Sequence, residues 1–295
     1  MNNIKFGTSG NPPNFFKSKF GKNRINAVDW INEIGLNAYE YLMTYGARTR
    51  PEVAKEVGEK ARRLGVKLSV HAPYYVVFTS EKEGTFENSV NEMVKTLKLA
   101  EIMGAEKIVF HPGYHNVPNP SERIIKGINE VKKIYAGPVK ILPETMGKKS
   151  QYGSLKEVLH ICKETGCELC LDFAHIHARE GGSLNSVEDF RKIILEVERV
   201  LGREVVERLH CHFYPVEFTE KGEKVHRAHF EKNYFPHFEH FLPVIKEFNM
   251  NPTLISESRD SQDGGALEMK EMVNKLFGEV APAGVLPITE FGGKK

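Results

Sequence analysis

Two kinds of hydrophobic pattern alternate along this chain. Short runs of apolar, β-branched residues are separated by longer segments whose apolar residues recur every three or four positions. The runs are typical of buried strands and the spaced segments of amphipathic helices. The predicted strands are Ile4–Gly7, Leu36–Leu42, Lys67–His71, Lys107–His111, Val139–Glu144, Glu168–Phe173, Arg208–Phe213 and Pro252–Glu257. The predicted helices are Ala27–Ile34, Pro51–Leu64, Asn88–Met103, Ser121–Tyr135, Leu155–Thr165, Val187–Val200, Phe238–Phe248 and Ala266–Phe277.

This order of elements predicts the fold class. Strands that alternate with helices form a parallel sheet with crossover helices, and eight such units close a barrel. No G-x-G-x-x-G follows the first strand, which disfavours an open dinucleotide-binding sheet. We therefore predict an α/β protein with a single (β/α)8 TIM barrel over residues 1–279. The Gly- and Pro-rich residues 280–295 are predicted to form an extended C-terminal tail.

Long loops follow three of the predicted strands. They span Asn11–Asn26, Thr44–Pro51 and Val216–Asn233. Because each follows a strand, all three open on the C-terminal face of the barrel, where TIM-barrel active sites lie.

Composition and charge narrow the function classes. The chain has 295 residues and a net charge of only +2, so it is not a generally cationic nucleic-acid binder. No signal-like segment or long apolar stretch is present, so we expect a cytoplasmic protein with no membrane association. No obligate protein partner is evident. The four cysteines are predicted to be small buried residues, since no second C-x-x-C completes a zinc ribbon.

Potential metal ligands end six successive predicted strands. A single histidine at a strand end is commonplace and needs no metal. Six potential ligands on successive strand ends are poorly explained by coincidence, because the strand ends of a closed barrel converge on one rim. Imidazoles and carboxylates together favour zinc, manganese or iron over calcium, and so many ligands favour more than one metal. The strand-end residues are His71, His111, Glu144, Asp172 with His175 following it, His210 with His212, and Glu257.

The seventh strand offers two histidines on one face, because strand side chains alternate. Only the one nearer the C-terminal rim should reach the metals. We expect that residue to be His212 rather than His210.

The motifs around these residues resemble endonuclease IV, the zinc-dependent apurinic/apyrimidinic endonuclease of the xylose isomerase-like TIM barrel superfamily. They are His-Ala-Pro-Tyr at 71–74, Phe-His-Pro-Gly at 110–113, Glu-Thr-Met at 144–146, Leu-Asp-x-x-His at 171–175 and Ser-Glu-Ser at 256–258. The resemblance implies two or three Zn²⁺ per chain, with Mn²⁺ as the substitute. It implies His71 and His111 on one zinc, Glu144 bridging to a second completed by Asp172, His212 and Glu257, and His175 with His226 on a third.

The strand-7 region departs from that family. Where the family has Asp-x-His, this chain has Gly-Glu-Lys-Val-His at 222–226, and Lys224 cannot serve as a ligand. Glu223 or His229 is then the candidate for the missing ligand of the third metal. Phe213 and Tyr214 also replace the family's pattern after His212, which indicates a divergent branch.

The resemblance also implies the reaction and the partner. The substrate would be double-stranded DNA with abasic sites, cleaved 5′ to the lesion by a hydroxide between two zincs, as in base-excision repair. Glu144 and Glu257 would be the catalytic carboxylates, holding the metals and orienting the nucleophile. Basic and aromatic residues of the loops are the candidates for DNA contact. They are Tyr74, Lys17, Lys19, Arg48 and Lys148.

Two other functions remain open. Glu144, Asp172, His212 and Glu257 match the single-metal set of sugar isomerases and epimerases of the same superfamily, which have no need for His71, His111 and His175 as ligands. A non-catalytic DNA-binding relative is the third interpretation.

Overall fold

The predicted barrel forms. The computed structural model describes residues 3–278, so the predicted tail and the last residue of the predicted domain lie outside the described residues. The barrel strands are β1 Lys5–Ser9, β2 Ala38–Leu42, β3 Lys67–His71, β4 Lys107–Phe110, β5 Lys140–Pro143, β6 Cys170–Asp172, β7 His210–Phe213 and β8 Thr253–Ser256. They form one parallel sheet with the strand order β5-β4-β3-β2-β1-β8-β7-β6. A parallel bridge between Glu144 and Cys170 joins its two ends and completes the ring.

Helices follow the strands and pack outside them. Pro51 begins one helix, and Gly65 ends it with a φ of 67°, a left-handed conformation that costs glycine little. Ser154 and Glu157 form a capping box at the start of another. The α-helices are Pro13–Lys17, Ala27–Glu33, Pro51–Leu64, Glu83–Met103, Pro120–Ile134, Leu155–Thr165, Phe173–Arg179, Val187–Leu201, Arg203–Glu207, Leu242–Glu247 and Gln262–Phe277, with 3-10 turns at Arg24–Asn26 and Phe238–His240.

The last helix begins four residues earlier than predicted. Gly264 and Gly265 weaken its sequence signal, because glycine is a poor helix former. Both are needed for close packing. A Cβ at position 264 would lie 2.2 Å from the His229 ring, and one at 265 would lie 2.5 Å from the Ser256 hydroxyl.

Two further differences lie on the C-terminal face. Phe173, predicted as the end of a strand, instead begins a helix that Asp172 caps by accepting a hydrogen bond from the His175 amide at 2.7 Å. Part of the predicted 216–233 loop is an antiparallel hairpin of Val216–Thr219 and Gly222–His226, which we call the 216–226 hairpin. A smaller two-stranded sheet pairs Gly113–Tyr114 with Gln151–Tyr152.

The main core lies between the sheet and the surrounding helices. The four cysteines are buried and unpaired, as predicted. None of the helices within residues 3–278 is both long and apolar enough to cross a membrane.

Candidate metal centre

Four histidines, which follow or end four other strands, converge on one buried carboxylate, Glu144. It follows β5 and is 1% exposed. Its Oε2 atom lies 3.3 Å from His71 Nε2 and 3.2 Å from His111 Nε2. Its Oε1 atom lies 3.2 Å from His212 Nδ1 and 3.3 Å from His175 Nδ1. The two oxygens therefore face two different groups of imidazoles, which is the arrangement a bridging carboxylate needs.

His212 lies at the centre of the second group. Its Nδ1 atom is 3.5 Å from Glu257 Oε1 and 3.7 Å from Asp172 Oδ2. His210, two residues earlier, lies deeper in the barrel and contacts Glu40 instead. His212, the histidine at the rim, is thus the one that reaches Glu144, Asp172 and Glu257.

A third group forms where the 216–226 hairpin approaches the helix after β6. Glu223 Oε2 lies 3.3 Å from His175 Nε2, and Glu223 Oε1 lies 3.2 Å from His226 Nε2. Glu217 pairs with Val225 and Phe218 with Glu223, so the hairpin has a β-bulge that leaves Lys224 without a partner in the ladder. The bulge places Glu223 and His226 on one face, and Lys224 pairs with Glu217 at 2.5 Å.

The structure brings Glu223, and not His229, to the histidine pair. The amide of His229 hydrogen bonds to Ser261, and its ring packs on Gly264. Three of the ligand groups found among residues 3–278 are His71–His111–Glu144, Glu144–Asp172–His175 and His175–Glu223–His226, each with its ligand atoms within 4.8 Å of one another.

Backbone carbonyls select which nitrogen of several histidines faces the site. A carbonyl can only accept a hydrogen bond, so the nitrogen beside it carries the proton. His71 Nδ1 donates to the Ala72 carbonyl at 3.0 Å, and His175 Nδ1 donates to that of Thr145 at 2.9 Å. His226 Nδ1 lies 3.2 Å from the Glu257 carbonyl. His71 and His226 therefore present Nε2 to Glu144 and Glu223, and in the neutral ring that nitrogen would offer its lone pair to a metal. His175 presents Nε2 to Glu223, while its Nδ1 also lies near Glu144 and Asp172.

The electrostatics of the site are those of buried groups with opposed charges. Burial would raise the pKa of Glu144, but His212 and His111 hold it well below its usual range. Burial disfavours the charged form of His71, yet Glu144 outweighs it and raises the pKa of His71 to about 8. Burial raises the pKa of Asp172.

These groups fit a metal. Anionic Glu144 and Asp172 are buried, and within residues 3–278 their ion-pair partners are imidazoles and not Lys or Arg. Several carboxylates crowded in a dry pocket need cations for charge balance. Imidazole nitrogens with carboxylate oxygens are a donor set that suits zinc.

Some residues at the site were missed by sequence reasoning. Glu40 lies in the barrel interior, and Tyr214 donates a hydrogen bond to Asp172 Oδ2 at 3.0 Å while stacking on His226 with ring centroids 4.0 Å apart. The signal for Glu40 is a charged residue at the centre of the otherwise apolar or aromatic β2 segment, Ala-Tyr-Glu-Tyr-Leu.

Of the residues predicted to contact DNA, Tyr74 lies beside a residue of the centre. The Tyr74 ring is exposed and lies 5.2 Å from the His111 ring. Arg48 and Lys148 are exposed on loops that follow strands, and Lys17 is exposed at the end of the short Pro13–Lys17 helix after β1. Lys19 is engaged by Glu33 at 2.6 Å, which reduces the charge it offers to a ligand.

A parallel eight-stranded barrel with histidines and carboxylates at its C-terminal rim defines a TIM-barrel protein with a candidate metal centre. The chain belongs to the xylose isomerase-like TIM barrel family, whose model matches residues 28–276.

Two relatives resemble this chain over most of its length. An uncharacterised protein of Methanocaldococcus jannaschii is 32% identical over 271 residues, covering 90% of this chain and 95% of the relative. A probable endonuclease 4 of Aquifex aeolicus is 25% identical over 256 residues, covering 77% of this chain and 90% of the relative. The resemblance to endonuclease IV predicted from the motifs is confirmed.

Solved structures share the fold. Endonuclease IV from Thermus thermophilus superposes with a TM-score of 0.68 at 20% identity, over 94% of this chain and all of that one. D-psicose 3-epimerase from Clostridium cellulolyticum has a TM-score of 0.61 at 13% identity, over 94% and 98% of the two chains. At such identities these likenesses concern the barrel alone.

Proposed function

We propose that this protein is a zinc-dependent endonuclease that cleaves the DNA backbone 5′ to an abasic site. The observation that supports it best is that Glu144 belongs to two ligand groups and that a third group, His175–Glu223–His226, shares His175 with one of them. Clustered divalent metals are a common solution for phosphate-ester hydrolysis, because they stabilise both the attacking and the leaving oxygen.

His71, His111, Glu144, Asp172, His175, His212, Glu223, His226 and Glu257 would hold the metals. Bound zinc would supply a water whose pKa is near 7 and positive charge for the phosphate. Glu144 would keep the ligand groups together through its two oxygens. Glu257 is the more exposed carboxylate at the mouth, 16% against 1% for Glu144, and it would orient the attacking water and accept its proton.

The DNA would lie across the C-terminal face. The exposed Tyr74 ring beside His111 offers a stacking surface at the edge of the centre. Lys17, Arg48 and Lys148 would contact backbone phosphates. A local basic surface of this kind is compatible with a net charge of only +2. The expected cytoplasmic location is consistent with a role in DNA repair. The four unpaired cysteines are consistent with the same location, because the cytoplasm keeps thiols reduced.

A second candidate is a single-metal sugar epimerase. Glu144, Asp172, His212 and Glu257 would suffice for it, and an epimerase is among the structural neighbours. It leaves the convergence of His71 and His111 on Glu144, and the whole third group, without a role. We therefore place it second.

The test is cleavage of a labelled duplex that bears one abasic site, with an undamaged duplex as the substrate control. We expect cleavage 5′ to the lesion, a 3′-hydroxyl product, inhibition by a strong chelator and recovery on adding zinc. Glu144→Gln should abolish cleavage.

Glu168→Gln is the matched control, because Glu168 is also a largely buried ion-paired carboxylate but lies at the opposite end of the barrel with Lys140 and Arg208. Undiminished cleavage by metal-free protein would refute the proposal. One tightly bound manganese or cobalt per chain, with no cleavage, would favour the epimerase.

A further inference from the structure

A polar layer lies one step below the metal ligands inside the barrel. Side chains two residues apart on a strand share a face, so Ser69 lies beneath His71 and His210 beneath His212. Glu40, from β2, completes this layer and is fully buried. Val109, Leu142 and Cys170 occupy the apolar part of the interior.

The polar partners of Glu40 are one hydroxyl group and two imidazoles. Its Oε2 atom accepts hydrogen bonds from Ser69 Oγ at 2.8 Å and from His210 Nε2 at 2.8 Å. Its Oε1 atom lies 2.9 Å from His212 Nε2, at ion-pair distance, and neither of these two buried atoms has an aligned hydrogen-bond partner among the described residues. No Lys or Arg within residues 3–278 forms an ion pair with it. A carboxylate this deep is costly to bury, so its position has to be explained by what it contacts.

His212 differs from the other histidines of the centre. His71 and His226 each place Nδ1 beside a backbone carbonyl and present Nε2 to a carboxylate. His175 also has Nδ1 beside a carbonyl, although that nitrogen lies near Glu144 as well. His212 is turned the other way, with Nδ1 toward Glu144 and Nε2 toward Glu40. Its outer nitrogen therefore faces a charged carboxylate and not a carbonyl.

We propose that Glu40 is a positioning residue that keeps the proton of His212 on Nε2 and directs the Nδ1 lone pair at the metal, an inference that rests on the proposed metal centre. A neutral imidazole carries one proton, and an ionised carboxylate can only accept it. Ser69 and His210 hold Oε2, which leaves Oε1 for His212. Outer partners of this kind fix the ring and increase ligand basicity, and their loss typically weakens metal binding 10- to 100-fold.

Glu40→Gln tests the inference. The amide has nearly the same shape but can present its NH₂ group to Nε2, which favours the tautomer with the proton on Nδ1, where the metal should bind. Zinc affinity is measured by competition with a chromophoric chelator, without DNA. We expect a roughly 10- to 100-fold loss at one class of site, unchanged binding at the others, and restored occupancy in excess zinc.

Two controls separate positioning from general damage. Glu168→Gln should bind zinc as the wild-type protein does. Thermal unfolding in chelator and in saturating zinc should show that Glu40→Gln loses zinc-dependent stabilisation at intermediate zinc, as expected for weaker ligand binding. Wild-type affinity at every site in folded Glu40→Gln protein would overturn the inference.

A second measurement needs no variant at Glu40. In zinc-loaded protein labelled with ¹⁵N-histidine, proton–nitrogen correlations report which nitrogen of His212 carries the proton, with its signals assigned from their loss in His212→Asn. We expect Nε2; a proton on Nδ1 would overturn the inference. If Glu40→Gln loses zinc selectively but the wild-type protein does not cleave abasic DNA, the proposed substrate is refuted and the role of Glu40 stands. A wild-type protein that binds no zinc would refute both.

Discussion

The third ligand group gives the sharpest test of the metal centre, because substitutions at two adjacent residues of one strand should have different effects on zinc binding. Glu223 and Lys224 are neighbours in the 216–226 hairpin. Glu223 is 13% exposed and contacts two imidazoles, whereas Lys224 is 56% exposed and contacts Glu217. Glu223→Gln should therefore weaken zinc binding at this group, and Lys224→Ala should leave it unchanged.

The expected magnitude follows from these contacts. Replacement of the carboxylate removes one of three ligands and the negative charge between His175 and His226. Loss of a partner merely hydrogen-bonded to a ligand costs up to about 100-fold in affinity, so loss of a direct ligand should cost at least about 100-fold, or about 2.7 kcal/mol. The exposed Lys224–Glu217 pair is worth at most about 1 kcal/mol of stability and nothing in zinc affinity.

Zinc content after dialysis against a zinc buffer, together with chelator competition, measures both variants. We expect Glu223→Gln to retain one zinc fewer than the wild-type protein and Lys224→Ala to retain the full complement. Equal zinc content and affinity in Glu223→Gln and wild type would refute the assignment of Glu223. Equal losses in both variants would indicate that the hairpin as a whole is disturbed.

Three further predictions concern the DNA face, the core and the cysteines. Tyr74→Ala should raise the KM for an abasic duplex about 5- to 100-fold through lost stacking, and binding should weaken steeply with added salt; salt-independent binding would contradict the DNA surface. Leu97→Ala, at a fully buried position in the Glu83–Met103 helix, should lower the free energy of unfolding by about 2–5 kcal/mol in a denaturant titration, while Leu195→Ala at a 47% exposed position should change it by less than about 1 kcal/mol. Burial raises the pKa of the Cys162 and Cys167 thiols, so a thiol reagent should label no cysteine of the native protein and all of them in denaturant; labelling of any cysteine before unfolding would contradict their placement.

Local pattern determined most of the fold. The Pro51–Leu64 and Leu155–Thr165 helices have the predicted bounds, because a proline or capping box begins each one and a glycine follows. Prediction was weaker where tertiary packing opposes the local signal. Gly264 and Gly265 obscure a helix start because their missing side chains make room for His229 and Ser256.

The positions of the strand ends also determined which predicted ligands lie close together. Parallel strands of a barrel all end on one rim, so His71, His111 and Glu144 had to be neighbours once the strands were recognised. The same reasoning distinguished His212 from His210 by position along β7.

Only the tertiary structure decided the remaining contacts. Lys224 replaces the expected ligand in the sequence, and the β-bulge at Lys224 is what places the adjacent Glu223 on the same face as His226, where it also contacts His175. Glu40 reaches His212 from β2 across the barrel interior, between strands that do not pair. Such contacts depend on how the strands are placed around the closed ring, and a one-dimensional pattern of hydrophobic and polar residues contains no measure of that placement.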